Sequence, residues 1–218
     1  SPIGEHGFFQ MVFDPDFVDN GWVYLFYTTT IGFTHNRVSR FTSTGIVADP
    51  DSEFVLHDFE ELVAANHLGG AMELGPDRRL YIAHGENSLG APAQDMNSTL
   101  GKMLRFNLDG SIPSENPFYT TLTGSRRAIY ATGLRSPFSM AIEPSTGLVY
   151  FNDVGTTTWE EVNDVVSGGN YGWPFREGTN GQDPADVTSV LPIYPVSYPP
   201  LTLPPTLPPH ISSLPSSL

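Results

Sequence analysis

His67 is the side chain of this protein best suited to acid–base chemistry. It lies in Asn66-His67-Leu68-Gly69-Gly70, just ahead of Leu74-Gly75-Pro76-Asp77 and the apolar run Leu80-Tyr81-Ile82-Ala83. An imidazole titrates at about pH 6.5, so one held at a strand edge can take a proton from a substrate hydroxyl near neutrality. A lone histidine in a β-rich chain is more often a hydrogen-bonded structural residue, so the catalytic reading depends on its neighbours. Cysteine is absent, which excludes thiol nucleophiles, thiolate metal sites and disulfides. A net charge of −14, from 24 acidic and 10 basic residues, argues against a nucleic-acid partner, which needs clustered Lys and Arg. No apolar run is long enough to span a membrane, and Ser1-Pro2-Ile3-Gly4 lacks the basic and apolar regions of a signal peptide.

The elements that must position His67 repeat. An apolar pair, a Pro-centred turn and an apolar-aromatic strand occur three times. The copies are Val12-Phe13-Asp14-Pro15-Asp16 before Trp22-Val23-Tyr24-Leu25-Phe26-Tyr27, Glu73-Leu74-Gly75-Pro76-Asp77 before Leu80-Tyr81-Ile82, and Ala141-Ile142-Glu143-Pro144-Ser145 before Leu148-Val149-Tyr150-Phe151. Each predicts a β-hairpin, because proline presets the turn and alternating β-branched and aromatic residues suit a half-buried strand. Val38–Phe41, Lys102–Asn107 and Ile129–Ala131 predict further strands, with a turn at Asp109-Gly110. Asp58–Leu62 suggests one helical turn, but no 3.6-residue period is sustained anywhere. With 21 glycines and 20 prolines in 218 residues, the expected class is all-β with radially repeated sheets. Residues 1–190 form the expected folded unit. The Pro/Leu/Ser-rich segment 191–218 is expected to be extended or disordered, since proline at that density cannot sustain sheet pairing.

Six strings, in order, resemble the soluble PQQ-dependent sugar dehydrogenases, the family that includes the glucose/sorbosone dehydrogenase domain and aldose sugar dehydrogenases. They are Gly4-Glu5-His6-Gly7 before Phe13-Asp14-Pro15-Asp16-Phe17; Asn66-His67-Leu68-Gly69-Gly70 before Gly75-Pro76-Asp77; Gly101-Lys102-Met103-Leu104-Arg105-Phe106-Asn107-Leu108-Asp109-Gly110; Gly133-Leu134-Arg135-Ser136-Pro137; Asp153-Val154-Gly155; and Trp159-Glu160-Glu161-Val162-Asn163 closing in Gly168-Gly169-Asn170-Tyr171-Gly172-Trp173-Pro174. The resemblance implies a six-bladed β-propeller, of which about three to four blades are present, with the quinone cofactor PQQ over the central channel.

It further implies oxidation of an aldose sugar at its anomeric carbon to a lactone, with electrons passed to an external acceptor. Oxidation there needs a base for the hydroxyl proton and a cation where the quinone gains charge. His67 matches the family's base and Arg135 its arginine. Glu5 stands where glutamine is common beside the quinone, and Ser136 where asparagine follows the arginine. Calcium prefers oxygen ligands, backbone carbonyls included. The resemblance assigns the cofactor's Ca²⁺ to Gly155 and Thr156, where relatives carry Gly-Pro, and a further Ca²⁺ to Glu161 and Tyr171. Tyr171 and Trp173 read equally as blade-packing aromatics.

The recognisable strings stop near Gly178, so the polypeptide is expected to be a fragment of a longer propeller, with its own activity open on this reading. A periplasmic or secreted location is implied by resemblance alone. Two other functions stay open at this stage. One is a non-catalytic binding propeller of the hedgehog-interacting type, against which the absence of cysteine weighs. The other is a Ca²⁺-dependent lactonase, for which no clustered carboxylate and amide set is visible.

Overall fold

The computed structural model describes residues 4–197. The first sheet contains β1 (Phe8–Phe13), β2 (Trp22–Thr29), β3 (His35–Ser43) and β4 (Ala48–Glu61), with a short helix α1 (Phe17–Asn20) between β1 and β2. The second contains β5 (Gly69–Leu74), β6 (Arg79–His84), β7 (Lys102–Asn107) and β8 (Ile129–Thr132). The third runs from β9 (Pro137–Ile142) through β10 (Val149–Asp153) and β11 (Trp159–Asp164). A two-stranded hairpin, β12 (Arg176–Glu177) and β13 (Asn180–Gly181), precedes its outermost strand, β14 (Tyr194–Ser197). All pairings within these sheets are antiparallel.

The three Pro-centred repeats form the first hairpin of each sheet, β1–β2, β5–β6 and β9–β10. The first strand of each sheet packs on that of the next, β1 on β5 and β5 on β9, as in the blades of a propeller. Antiparallel strands alternate their side chains between two faces, and β6 shows what that does in the middle sheet. Leu80 and Ile82 enter a core shared with Tyr24, Phe26 and Phe59 of the first sheet. Tyr81 and Ala83 point the other way, into a core with Val149, Phe151 and Tyr171. A sheet covered on both faces needs an unbroken apolar run, which is why Leu80–Ala83 does not alternate with polar residues.

Two expectations need correction. Asp58–Leu62 is not a helical turn: residues through Glu61 continue β4, because the period is two, with His57 and Phe59 buried and Asp58 exposed between them. Phe59 stacks on Phe26 and lies 4.3 Å from the His84 ring, contacts that only the strand register allows. Part of the expected tail joins the third sheet, where Tyr194–Ser197 pairs with Val162–Trp159. An outermost strand uses only every second N–H in the ladder, so Pro195 can sit there without breaking it. Residues 198–218, the rest of the expected tail, lie outside the described residues.

Candidate functional site

His67 lies two residues before β5 and Arg135 two residues before β9, so the packing of these two strands brings together residues 68 positions apart. Arg135 Nη2 lies 2.8 Å from His67 Nε2. On the other side of the ring, His67 Nδ1 is 2.5 Å from Glu86 Oε1. A guanidinium can only donate and a carboxylate accepts, so the network assigns the imidazole's proton to Nδ1 and leaves the Nε2 lone pair facing Arg135. That is the tautomer a base working through Nε2 requires.

Glu86, 1% exposed, is the member of this network that sequence reasoning missed. Its second oxygen accepts the Gly90 N–H. Its backbone N–H donates to the Arg135 carbonyl at 2.9 Å, while Asn87 N–H donates to the His67 carbonyl at 3.0 Å. Glu86 and Asn87 therefore fasten the two halves of the site to each other. Gly85 makes the close approach possible: a Cβ there would lie 2.1 Å from the His67 carbonyl oxygen. The one sequence signal for Glu86 was its position directly after the buried strand β6, in Gly85-Glu86-Asn87.

Arg135 is 8% exposed and held from several directions. Nη1 donates to the Val154 carbonyl at 2.7 Å, the guanidinium carbon lies 5.2 Å from the Trp173 ring centre, and Nε is buried without a hydrogen-bond partner. The Asp153 carboxylate accepts the backbone N–H groups of Arg135 at 2.8 Å and Ser136 at 2.6 Å, fixing this turn in place. Ser136 is buried within it. Glu5 comes in beside His67, accepting the Leu68 N–H at 2.9 Å, so the carboxylate at that position has a backbone partner of its own.

Gly155, Glu161 and Tyr171, three of the four expected metal positions, line one cavity of about 10 Å³ together with Arg135, Asp153 and Trp173. Space of that size admits about one water-sized guest. Asp153 and Glu161 are cross-strand partners, and both carboxylates are buried. Burial first, and the Glu161 charge second, push the Asp153 carboxyl up to about 8. Burial likewise raises Glu161 above the ordinary carboxylate range. Asn163 Oδ1, on the same face of β11, is buried without a partner. Tyr171 packs edge-on against Phe151, and its hydroxyl accepts the Val166 N–H at 2.9 Å and donates to the Asp164 carbonyl, so its side chain serves the blade core. Thr156, the fourth position, gives both its N–H and its hydroxyl to Glu177, each at 2.6 Å. Among the described residues no three His, Asp or Glu side chains converge as a metal cluster.

A groove of about 740 Å³ is elsewhere. It lies at the far ends of β5 and β9, where Pro15, Pro76 and Pro144 of the three repeats meet, so volume alone points away from the chemistry.

A family model described as Glucose / Sorbosone dehydrogenase matches residues 2–190. The chain is 31% identical over 183 residues to aldose sugar dehydrogenase YliI of Escherichia coli K12, covering 79% of this chain and 47% of that protein. It is 30% identical over 200 residues to quinoprotein glucose dehydrogenase B of Acinetobacter calcoaceticus, covering 80% and 41%. The PQQ-bound aldose sugar dehydrogenase of Streptomyces coelicolor superposes with a TM-score of 0.77 at 28% identity, over 90% of this chain and 55% of that one. The chain thus spans about half the length of the relatives it matches, and its three sheets are part of their β-propeller.

Proposed function

Since the chain belongs to the glucose/sorbosone dehydrogenase family, we propose that it carries the base and the anion-binding arginine of a PQQ-dependent enzyme that oxidises an aldose at its anomeric carbon to the lactone. The observation that carries this reading is the line Glu86–His67–Arg135, which joins a buried carboxylate, a correctly protonated imidazole and a guanidinium within hydrogen-bond distance. His67 Nε2 takes the proton of the anomeric hydroxyl, and Glu86 stabilises the imidazolium that results. Arg135 Nη2–H occupies the Nε2 lone pair in the arrangement described above. For the sugar hydroxyl to reach Nε2 the guanidinium must turn aside, and an anionic ligand beside it supplies the reason to do so.

The residues present fit an anionic quinone. Arg135 Nε and Trp173 Nε1 are both buried donors without partners, and the Trp173 ring offers an aromatic wall. When bound, PQQ supplies the electrophilic quinone that accepts the hydride. Calcium also fits the small cavity that Gly155, Glu161 and Tyr171 line, with the orphaned Asn163 oxygen on the same face of β11 as Glu161. On this reading Gly155 and Thr156 would hold the cofactor's Ca²⁺, and Glu161 and Tyr171 the further one. A Cβ on Gly155 would lie 1.7 Å from the Trp159 carbonyl oxygen, so only glycine permits this turn.

Electrons pass to an external acceptor, and we place the protein in the periplasm or outside the cell. Among the described residues no helix is long and apolar enough to cross a membrane. The test is to incubate the polypeptide with PQQ and Ca²⁺ and follow reduction of an electron-accepting dye on addition of a panel of aldoses. Sugar-dependent reduction that requires PQQ supports the proposal; no change in cofactor absorbance and no turnover would sink it.

A further inference from the structure

Lys102 is fully buried, and the chemistry above does not use it. An ammonium has three donors. All three go to carbonyl oxygens: those of Ala93 and Leu100, each at 3.0 Å, and that of Pro92. Burying a charge is unfavourable, and a well-packed apolar side chain would fill the same space at lower cost. A buried ammonium satisfied in this way serves instead to hold those carbonyls in place.

What they belong to gives the position its meaning. Residues 85–101 form the long connection from β6 to β7, with only a three-residue 3₁₀ turn, Ala91–Ala93, of regular structure. At one end of this connection Gly90 N–H grips Glu86. In its middle the Ala93 carbonyl accepts both Lys102 Nζ and, at 2.9 Å, the N–H of Gly133, two residues before Arg135. Lys102 also lies across from His84 on one side and Thr132 on the other, the last strand residues before Gly85-Glu86 and Gly133-Leu134-Arg135. We propose that Lys102 is a positioning residue for the His67–Glu86–Arg135 site, its ammonium clamping the β6–β7 connection so that Gly90 meets Glu86 and Ala93 meets Gly133. The function it serves rests on the reading given above; the clamp itself does not.

Hydrogen exchange and ¹⁵N spectra of the cofactor-free chain test the clamp independently of any dehydrogenase activity. Lys102→Met keeps the length and removes the donors. The amides of Gly90 and Gly133 are expected to exchange about tenfold faster or more, while that of Gly147, in the distant β9–β10 turn, stays unchanged. The His67 ring is expected to lose its single Nδ1–H tautomer. Gly90 and Gly133 exchanging within twofold of wild type would overturn the proposal.

If the variant does not fold, the wild-type chain decides. Burial lowers the Lys102 ammonium to about 7, partly opposed by the charges of Asp95 and Glu60. Between pH 6 and 11 the Gly90 and Gly133 amide shifts should follow the Lys102 ε-carbon with one midpoint. Amides that stay fixed while Lys102 loses its proton would equally overturn the clamp.

Discussion

Replacing Glu86 by glutamine separates the hydrogen-bonding role of this residue from its shape. The carboxylate takes two different donors, His67 Nδ1–H at 2.5 Å and Gly90 N–H, in a position 1% exposed. Glutamine offers one acceptor and one donor. With its oxygen toward His67, its NH₂ faces the Gly90 N–H, and two buried donors confront each other at a cost of about 1–3 kcal/mol. With its oxygen toward Gly90, its NH₂ faces Nδ1, which must then accept, and the ring proton moves to Nε2. The second arrangement turns Nε2–H toward Arg135 Nη2, another donor, but that guanidinium can turn aside where the Gly90 backbone cannot, so this arrangement is the lower in energy, and it removes the lone pair the base needs. Regaining the productive tautomer costs about 1–3 kcal/mol, and losing the charge-assisted bond to the imidazolium about 1.5–3 kcal/mol more. Together these predict a fall in kcat of roughly 10²–10⁴, comparable with the whole of a general base's contribution. Two assays read it: ¹⁵N shifts of the His67 ring in the cofactor-free protein, which report the tautomer, and dye reduction after PQQ loading. A Glu86→Gln protein that keeps the Nδ1–H tautomer, or turns over within threefold of wild type, refutes the reasoning.

Two further outcomes follow from buried groups. His57 meets Phe59 edge-on and His84 lies tilted against it, and burial lowers each to about 4, so in the folded protein they stay neutral where the unfolded chain protonates near pH 6.5. The unfolded state binds the extra protons, so stability is full above about pH 6.5 and falls as pH drops toward 4, by up to ~3 kcal/mol per histidine. Urea unfolding across that range should show the slope, and His57→Phe should reduce it by about one proton; an unchanged slope would exclude His57 as its source. Calcium at 100 times its dissociation constant should raise stability by about 2.7 kcal/mol in the wild type and by far less in Glu161→Gln. Equal thermal shifts in the two proteins would remove Glu161 from the cation site.

The parts of the fold written in local pattern were legible. Proline-centred turns between apolar runs marked the first hairpin of every sheet, and β7 and β8 lay where alternation put them. His67 and Arg135 were readable because both stand in family strings, and the structure brings them to one point. Glu86 was not readable: a carboxylate after a strand is usually solvated, and only the packing of β5 beside β6 turns this one toward His67. Lys102 read as an ordinary strand-end lysine for the same reason, since its three carbonyl partners belong to a connection with no local signature. The opposition of Asp153 to Glu161 depends on register between β10 and β11, which spacing along the chain does not encode. Tyr194–Ser197 was hidden by its proline, tolerated only because the strand is outermost.

The central claim, that His67 Nε2 is the base, is met most directly by His67→Gln. Glutamine lacks a titratable nitrogen but can still receive the Arg135 N–H through its amide oxygen. PQQ binding, followed by absorbance titration, is therefore expected to change by only a few-fold, while aldose-dependent dye reduction falls by about 10² or more. A variant that binds PQQ and oxidises sugar at the wild-type rate would contradict the account.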